Sequence, residues 1–244
     1  MLDLLAFDLD GTLADTETLK AESYGWAARQ LRPDVDPAEV EAAYAGCIGL
    51  SRREIATTLL RRFGLADAAR QRDGAVEPWR SYVGLRLERY RAMLADGGLV
   101  RAHARGPATA LVRESHRYAR AVALVTTSDA RNAGLVLDAL GLADAFDTVV
   151  TADDVARTKP DPEGYLLALS RLGADARRSL VVEDSAAGVR GAVAAGLAVV
   201  AVPDRHTREG VRALVRAGLI GAGDVATPER LRAAVSERAR AAAG

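Results

Sequence analysis

The sequence predicts an α/β fold, a doubly wound and mostly parallel sheet with an all-helical domain inserted into it. Two observations favour this fold class. Short runs of consecutive apolar residues alternate with amphipathic helical patterns through most of the chain, as expected for strands covered by helices on both faces. The alternation is absent from 15–96, where only helical patterns occur. We therefore predict a sheet-containing core at 1–14 and 97–244 and a helical cap domain at 15–96.

Five apolar runs rich in valine and leucine are the predicted strands. They lie at 2–8, 121–126, 146–152, 178–184 and 197–202. Because each run is apolar on consecutive residues, both faces of each strand should be buried. An open sheet of this kind is Rossmann-like, and its ligand sites form at the carboxyl ends of the strands.

Helical patterns separate and follow these strands. The predicted core helices lie at 130–142, 161–173, 185–196 and 227–244. Asp161 and Ser185 are the expected N-caps of the second and third of them, and Gly173 and Gly196 are the expected C-terminal stops. The predicted helices of the insert lie at 18–31, 37–46, 51–65 and 77–94. The glycine pair at 97–98 marks the return of the chain to the sheet.

Composition and charge exclude several classes of protein. The 33 basic and 33 acidic residues balance, so neither a nucleic-acid footprint nor a polybasic membrane contact is expected. Cys47 is the single cysteine, which excludes an internal disulfide and argues against a cysteine-based metal cluster. The longest uncharged stretch, 191–203, is too short to span a bilayer, and no signal peptide pattern is visible. We expect a cytoplasmic protein, with a monomer as the default.

Two acidic pairs follow predicted strands. Asp8 and Asp10 end the first strand, and Glu183 and Asp184 end the fourth. If these strands are neighbours, the carboxylates share one cleft, where their mutual repulsion requires a cation. Oxygen ligands without a histidine or cysteine favour Mg²⁺. The alternative for Asp8 and Asp10 alone is an ordinary strand-to-helix turn capped by an acid.

Hydroxyl groups and a lysine lie after two other strands. Thr126, Thr127 and Ser128 open a predicted helix, where hydroxyl and backbone N–H groups form an anion site. A plain N-cap is the alternative there. Lys159 lies in the turn after the third strand, and an ammonium group is a good phosphate partner. It could also be a solvated loop lysine, but only it and Lys20 are lysines among the 33 basic residues, which favours a function.

Four segments together resemble the four motifs of the haloacid dehalogenase (HAD) superfamily, in the same order. They are DLDGTL at 8–13, VTTSD at 125–129, TKPDP at 158–162 and VVEDSAAG at 181–188. The helical insert is similar to the cap of the subgroup that contains phosphoglycolate phosphatases, β-phosphoglucomutases and CbbY-type sugar phosphatases. The resemblance implies a Mg²⁺-dependent phosphatase that hydrolyses a small phosphorylated metabolite, similar to a sugar phosphate, through an aspartyl-phosphate.

The resemblance also implies residue roles. Asp8 would be the nucleophile, and Asp10 would protonate the leaving oxygen and then activate water. Asp8, the Asp10 backbone carbonyl and Asp184 would hold Mg²⁺, with Glu183 close to the metal or bound through water.

The phosphoryl group would be bound by Thr126 and Lys159, with Thr127 and Ser128 as further substrate contacts. The acid at position 10 disfavours the dehalogenase branch of the superfamily, because a halide leaving group needs no proton.

Two residues of the insert are candidates for substrate binding. Arg52, in CIGLSRREI at 47–55, resembles the arginine of the β-phosphoglucomutase cap that grips the non-reacting end of the substrate. Glu17 matches a hinge glutamate of some sugar phosphatases. A solvated arginine and an ordinary first-turn acid are the alternatives.

Three other functions remain open at this point. A β-phosphoglucomutase-type phosphomutase is disfavoured because Lys20 stands where mutases have a histidine. A signalling receiver domain is disfavoured by the length of the chain and by the insert. A catalytically inactive binding protein is disfavoured by the intact set of acids.

Overall fold

The computed structural model describes residues 1–48, 50–74 and 77–242, and the chain divides into two compact units. One contains Met1–Asp15 and Gly97–Gly244 and is called the sheet unit here. The other contains Thr16–Asp96 and is called the helical unit. The first boundary between the two units lies between Asp15 and Thr16, one residue later than the predicted boundary.

The helical unit contains five α-helices among its described residues. They are α1 (Thr16–Leu31), α2 (Pro37–Ala45), α3 (Arg52–Phe63), α4 (Ala66–Asp73) and α5 (Pro78–Ala95). Sequence patterns missed α4, because its residues are mostly polar and its stability comes from packing of Leu65 and Ala69 into the unit's core. The α3 helix begins with a capping box, in which Ser51 and Glu54 bond to each other's backbone N–H groups.

A core of its own holds the helical unit together. The side chains of Tyr24, Val40, Leu59 and Tyr82 are essentially inaccessible to solvent within this core. The Tyr82 hydroxyl donates a hydrogen bond to the backbone oxygen of Tyr24, 2.9 Å away, which ties α5 to α1. Such tertiary packing stabilises these helices more than local propensity does.

The sheet unit is built on a five-stranded sheet in which all neighbouring strands run parallel, in the order β3-β2-β1-β4-β5. The strands are β1 (Leu2–Phe7), β2 (Ala119–Val125), β3 (Thr148–Val150), β4 (Ser179–Glu183) and β5 (Ala198–Ala201). This confirms the predicted fold class. The third strand is shorter than predicted, because only three of its residues pair with β2.

Seven α-helices accompany the sheet in the described residues. They are α6 (Gly97–Ala102), α7 (Gly106–Arg113), α8 (Ala130–Leu140), α9 (Glu163–Leu172), α10 (Ala186–Ala194), α11 (Arg208–Arg216) and α12 (Leu231–Ala241). Short 3₁₀ turns lie at Ser115–Arg117, Ala152–Asp154, Ala176–Arg178, Ala222–Asp224 and Pro228–Arg230. Gly97 therefore begins a helix rather than leading directly to a strand.

Helix ends confirm some of the predicted caps and correct one. Ser185 accepts a hydrogen bond from the Gly188 N–H as the N-cap of α10, and Gly173 ends α9 in the left-handed conformation. The assigned boundary residue of α9 is Pro162, one residue after the predicted N-cap Asp161, but the Asp161 side chain makes the hydrogen bond expected of a cap. The helix begins at Glu163, and the Asp161 carboxylate accepts the hydrogen bond of the Glu163 N–H from outside the helix.

The three central strands of the sheet place the predicted site residues together at their carboxyl ends. In β1, Phe7 lies opposite Leu124 of β2 and Val182 of β4. The residues that follow these three strands therefore emerge side by side at their carboxyl ends. Strand β1 is buried on both faces, because residues 4–7 have no exposed surface.

Candidate active site

Lys159 joins two carboxylates at the carboxyl ends of β1 and β4. Its Nζ atom lies 2.6 Å from Oδ1 of Asp8 and 2.7 Å from Oε1 of Glu183. The lysine side chain is only 6% exposed. Burial alone would lower the pKa of Lys159, but the two carboxylates outweigh it and hold that pKa well above its ordinary value. The lysine therefore stays charged, and the alternative of a solvated loop lysine is excluded.

Glu183 is fully buried, and both of its carboxylate oxygens accept hydrogen bonds from the protein. Oε1 accepts from Lys159 and from the Tyr165 hydroxyl at 3.3 Å. Oε2 accepts from the Asp184 N–H at 2.9 Å, the Ser185 N–H at 2.8 Å and the Ser185 hydroxyl at 3.0 Å. A buried carboxylate that accepts this many hydrogen bonds holds its donor groups in fixed positions.

Two glycines leave room for these carboxylates. A Cβ atom at Gly188 would lie 1.6 Å from Oε1 of Glu183. A Cβ atom at Gly11 would lie 2.4 Å from Oδ2 of Asp184, and Gly11 also has a φ of 89°. Both positions require glycine for steric reasons, and Gly11 for its backbone conformation as well. Both glycines belong to the quoted motifs, but motif reasoning assigned them no role.

Asp8, Glu183 and Asp184 form a compact oxygen cluster. One carboxylate oxygen from each lies within 4.8 Å of the other two. Burial raises the pKa of Asp8 to about 7, and the Glu183 and Asp10 carboxylates add to the increase while Lys159 opposes it. Burial also raises the pKa of Asp184 well above its ordinary value, with the charges of Glu183 and Asp8 as the next causes. Three carboxylates share this place with one lysine, so the cluster would carry excess negative charge when its acids are ionised.

Asp10 contacts the residues that follow β2. Its Oδ2 atom accepts hydrogen bonds from the Ser128 hydroxyl at 2.7 Å and from the Thr126 hydroxyl at 3.3 Å. The Ser128 N–H in turn donates to the Thr126 hydroxyl oxygen at 3.1 Å. Thr126 and Ser128 are both buried, whereas Thr127 between them is exposed. The structure therefore brings two of the three predicted hydroxyl residues to Asp10.

The remaining predicted site residues, Glu17 and Arg52, lie in the helical unit. Glu17 accepts hydrogen bonds from Lys20 Nζ and from the Tyr44 hydroxyl, each at 2.7 Å. Arg52 is the exposed first residue of α3. Gly49, which belongs to the same Gly-x-Ser-Arg segment, lies outside the described residues.

A family model described as haloacid dehalogenase-like hydrolase matches residues 2–196. This chain belongs to the haloacid dehalogenase-like hydrolases. The match includes all the side chains of the oxygen cluster, the whole helical unit and the sheet unit as far as residue 196, so the predicted family is confirmed.

The alignments of this HAD-like hydrolase with its relatives cover most of its length. Protein CbbY of Cereibacter sphaeroides is 31% identical over 214 residues, which is 85% of this chain and 87% of the relative. A phosphoglycolate phosphatase of Mesorhizobium japonicum is 31% identical over 215 residues, or 84% of this chain and 86% of the relative. The crystal structure of a putative β-phosphoglucomutase from Thermotoga maritima has a TM-score of 0.68 and 26% identity, and the match covers 97% of this chain and 99% of that one.

Among the described helices of this HAD-like hydrolase, none combines the length and the apolar character that crossing a bilayer requires.

Proposed function

We propose that this HAD-like hydrolase is a Mg²⁺-dependent phosphatase. It hydrolyses a small phosphorylated metabolite, similar to a sugar phosphate, through an aspartyl-phosphate on Asp8. The observation that carries the proposal is the 2.6 Å contact of Asp8 with Lys159 beside the clustered carboxylates. Relatives named as phosphatases over more than four fifths of the chain support the reaction class.

The proposed reaction has two steps, which the residues after β1 and β2 carry out. Asp8 forms a bond to phosphorus while the bond between phosphorus and the leaving oxygen breaks, and Asp10 gives that oxygen a proton. Asp10 then takes a proton from water, which attacks phosphorus and regenerates the Asp8 carboxylate. Inorganic phosphate is the second product. Thr126 and Ser128 orient Asp10 through their hydrogen bonds, and with Lys159 they are the proposed phosphate contacts.

The donor set fits Mg²⁺, because it offers only oxygen atoms and would carry excess negative charge when its acids are ionised. Asp8, Asp184 and the Asp10 backbone carbonyl are the proposed ligands. When bound, Mg²⁺ supplies positive charge that offsets repulsion between Asp8 and the phosphate. Because the Glu183 oxygens already accept five hydrogen bonds, we assign Glu183 to holding Lys159 and the start of α10 in place.

Substitution of the nucleophile tests the proposal. Asp8→Asn should lower phosphate release from a panel of phosphorylated metabolites by about a thousandfold or more, and EDTA should abolish the parent's activity until Mg²⁺ is added. Asp3→Asn is the matched control, because Asp3 lies near the opposite end of β1 and pairs with Arg178. Equal turnover by Asp8→Asn and the parent would refute the mechanism.

A phosphomutase of the β-phosphoglucomutase type is the second candidate, supported by the name of the structural neighbour from Thermotoga maritima. Lys20 argues against it, because the mutases have a histidine in that region. Incubation with hexose 1-phosphate and hexose 1,6-bisphosphate distinguishes the two functions. A mutase yields the isomeric hexose phosphate, whereas a phosphatase yields free phosphate.

A further inference from the structure

A tyrosine lies in a core of the sheet unit whose other members are aliphatic. Tyr165 is near the start of α9, and its side chain is only 1% exposed. The other buried residues described for this core are alanine, valine, leucine and isoleucine. Apolar packing does not require a hydroxyl group, and a hydroxyl buried in such surroundings is unfavourable unless it has a partner. The hydroxyl of Tyr165 therefore requires an explanation beyond packing.

The Tyr165 hydroxyl bonds to the carboxylate that also holds Lys159. It donates a hydrogen bond to Oε1 of Glu183 at 3.3 Å, and the same oxygen accepts from Lys159 Nζ at 2.7 Å. Burial raises the pKa of Tyr165 well above its ordinary value, more than the charge of Lys159 lowers it. The hydroxyl therefore stays protonated and remains a donor to Glu183.

The ring of Tyr165 contacts the ammonium group itself. Lys159 Nζ lies over the ring, 5.2 Å from its centre, which is within the range of a cation–π interaction. Asp8 and Glu183 accept hydrogen bonds from the same ammonium at 2.6 and 2.7 Å. Two carboxylates and one ring face thus surround the charge, and Tyr165 contacts both the cation and one of its two anions.

A glycine on α10 leaves the ring little freedom to move. A Cβ atom at Gly191 would lie 3.4 Å from Cε2 of the Tyr165 ring and 3.3 Å from the backbone oxygens of Pro160 and Asp161. Helix α10 therefore packs directly against the ring and against the turn that carries Lys159. Close packing on this side holds the ring beside the ammonium group.

We propose that Tyr165 is a positioning residue for Lys159. Its ring holds the ammonium group beside Asp8, and its hydroxyl orients the Glu183 carboxylate that pairs with the ammonium. The ring should matter more than the hydroxyl, because the hydroxyl is one of five donors to Glu183. The consequence for catalysis rests on the phosphatase function proposed above, in which Lys159 stabilises the transferring phosphoryl group.

Two variants and a control separate the ring from the hydroxyl and from the core. Tyr165→Phe removes the hydroxyl and keeps the ring, whereas Tyr165→Leu removes both and keeps an apolar side chain. Leu169→Ala is the matched control, because Leu169 lies one turn later on α9, is 7% exposed and belongs to the same core. The measurements are kcat and KM for p-nitrophenyl phosphate with Mg²⁺, and the melting temperature.

Loss of the ring should act mainly on kcat. Tyr165→Leu should lower kcat about tenfold to a hundredfold and change KM by less than about threefold, because a small displacement of a charged group weakens transition-state stabilisation most. Tyr165→Phe should restore kcat to within about fivefold of the parent. Leu169→Ala should lower the melting temperature by about 5–15 °C and leave kcat within about twofold when assayed well below that temperature.

A double-variant cycle determines whether Tyr165 acts through Lys159. In a Lys159→Met background, Tyr165→Leu should lower kcat by less than a further factor of about two, because no ammonium group is left to position. Leu169→Ala should have the same effect in both backgrounds. If Tyr165→Leu lowered kcat by the same factor with and without Lys159, or no more than Leu169→Ala does, Tyr165 would be a structural residue and the proposal would be overturned.

A spectroscopic readout tests the same contact without any activity. Lys20 and Lys159 are the only lysines of the sequence, so protein with isotope-labelled lysine gives two sets of side-chain signals, and the spectrum of Lys159→Met assigns them. The ring current of Tyr165 should shift the Lys159 methylene signals next to Nζ upfield. Tyr165→Leu should remove most of this shift, Tyr165→Phe should keep it, and the Lys20 signals should stay unchanged in both.

The two kinds of measurement separate the two proposals. An unchanged Lys159 signal in Tyr165→Leu would overturn the positioning role even if the parent is an active phosphatase. If the Lys159 signal moves as expected but the parent releases no phosphate from any ester, the phosphatase function is refuted while the positioning of Lys159 by Tyr165 stands.

Discussion

Lys159 in the sheet unit and Arg86 in the helical unit are both buried cations, but their surroundings differ. Two carboxylates lie within 2.7 Å of Lys159, whereas Arg86 lies between two tyrosine rings and has no carboxylate partner in the described chain. The first cation is neutralised by the fold itself. The second lies against aromatic ring faces, and no described group accepts a hydrogen bond from its buried Nε.

The difference separates a buried cation that is held by ion pairs from one that is held by aromatic faces. The carboxylates of Asp8 and Glu183 keep Lys159 charged and hold its ammonium group in position. Arg86 has no such carboxylate partner among the described residues, so its charge is buried without an opposite charge beside it. Removal of the two charges should therefore change folding stability in opposite directions.

Substitution of Lys159 should have the largest effect. Lys159→Met leaves the buried carboxylates of Asp8 and Glu183 without their cation and should lower the free energy of unfolding by about 3–5 kcal/mol. It should also reduce kcat by about a hundredfold or more, because the proposed reaction loses a charge that stabilises its transition state. Urea denaturation and phosphate release provide the two measurements.

A surface ion pair provides the control for that prediction. Arg178→Met breaks a pair with Asp3 in which the arginine is 51% exposed, so it should change stability by less than about 1 kcal/mol. If Lys159→Met were as stable as Arg178→Met, or if Arg86→Met were the less stable of the two buried-cation variants, the contrast between the two units would fail.

Substitution of Gly188 tests how tightly the fold holds the carboxylate beside Lys159. A methyl group at Gly188 would overlap Oε1 of Glu183, so Gly188→Ala should destabilise the protein by about 1–3 kcal/mol and lower kcat by shifting Lys159. Gly134→Ala on α8 is the matched control, since its added methyl group meets nothing within 4 Å. That control should be neutral or stabilising by about 0.5–1 kcal/mol. Thermal unfolding of both variants checks the difference.

A partly exposed ion pair should show the smallest effect. Hydrogen bonds from Arg171 and Thr151 lower the pKa of Asp154 to about 2, below the 3.8 of a free aspartate. The carboxylate therefore stabilises the fold above about pH 4, and this contribution is lost as the pH falls toward 2. Asp154→Asn should reduce stability by about 0.5–1 kcal/mol at pH 7. Urea denaturation should show the gap between variant and parent closing toward pH 2, and a gap independent of pH would contradict the assignment.

The strands could be predicted from the sequence because each of them is a run of apolar residues that is recognisable without its neighbours in space. Apolar runs identified all five strands, and the caps at Ser185 and Gly173 were recognisable from residue type. The α4 helix escaped prediction because its formation depends on packing against the rest of the helical unit. The predicted cap at Asp161 lies one residue before the assigned boundary residue Pro162, since residue type alone does not determine which residue first adopts the helical conformation.

The sequence by itself determined which chemical groups belong to the site. The reason is that acidic side chains directly follow strands that are recognisable from their own residues. Asp8, Asp10, Glu183 and Asp184 are these groups.

Only the tertiary structure decided which of these groups are partners. Lys159 meets Asp8 across 151 positions of the chain and Glu183 across 24. The steric need for Gly188 and the enclosure of Arg86 by two rings were equally invisible in the sequence. The physical reason is that charge pairing and burial depend on distances between segments that only the folded chain brings together.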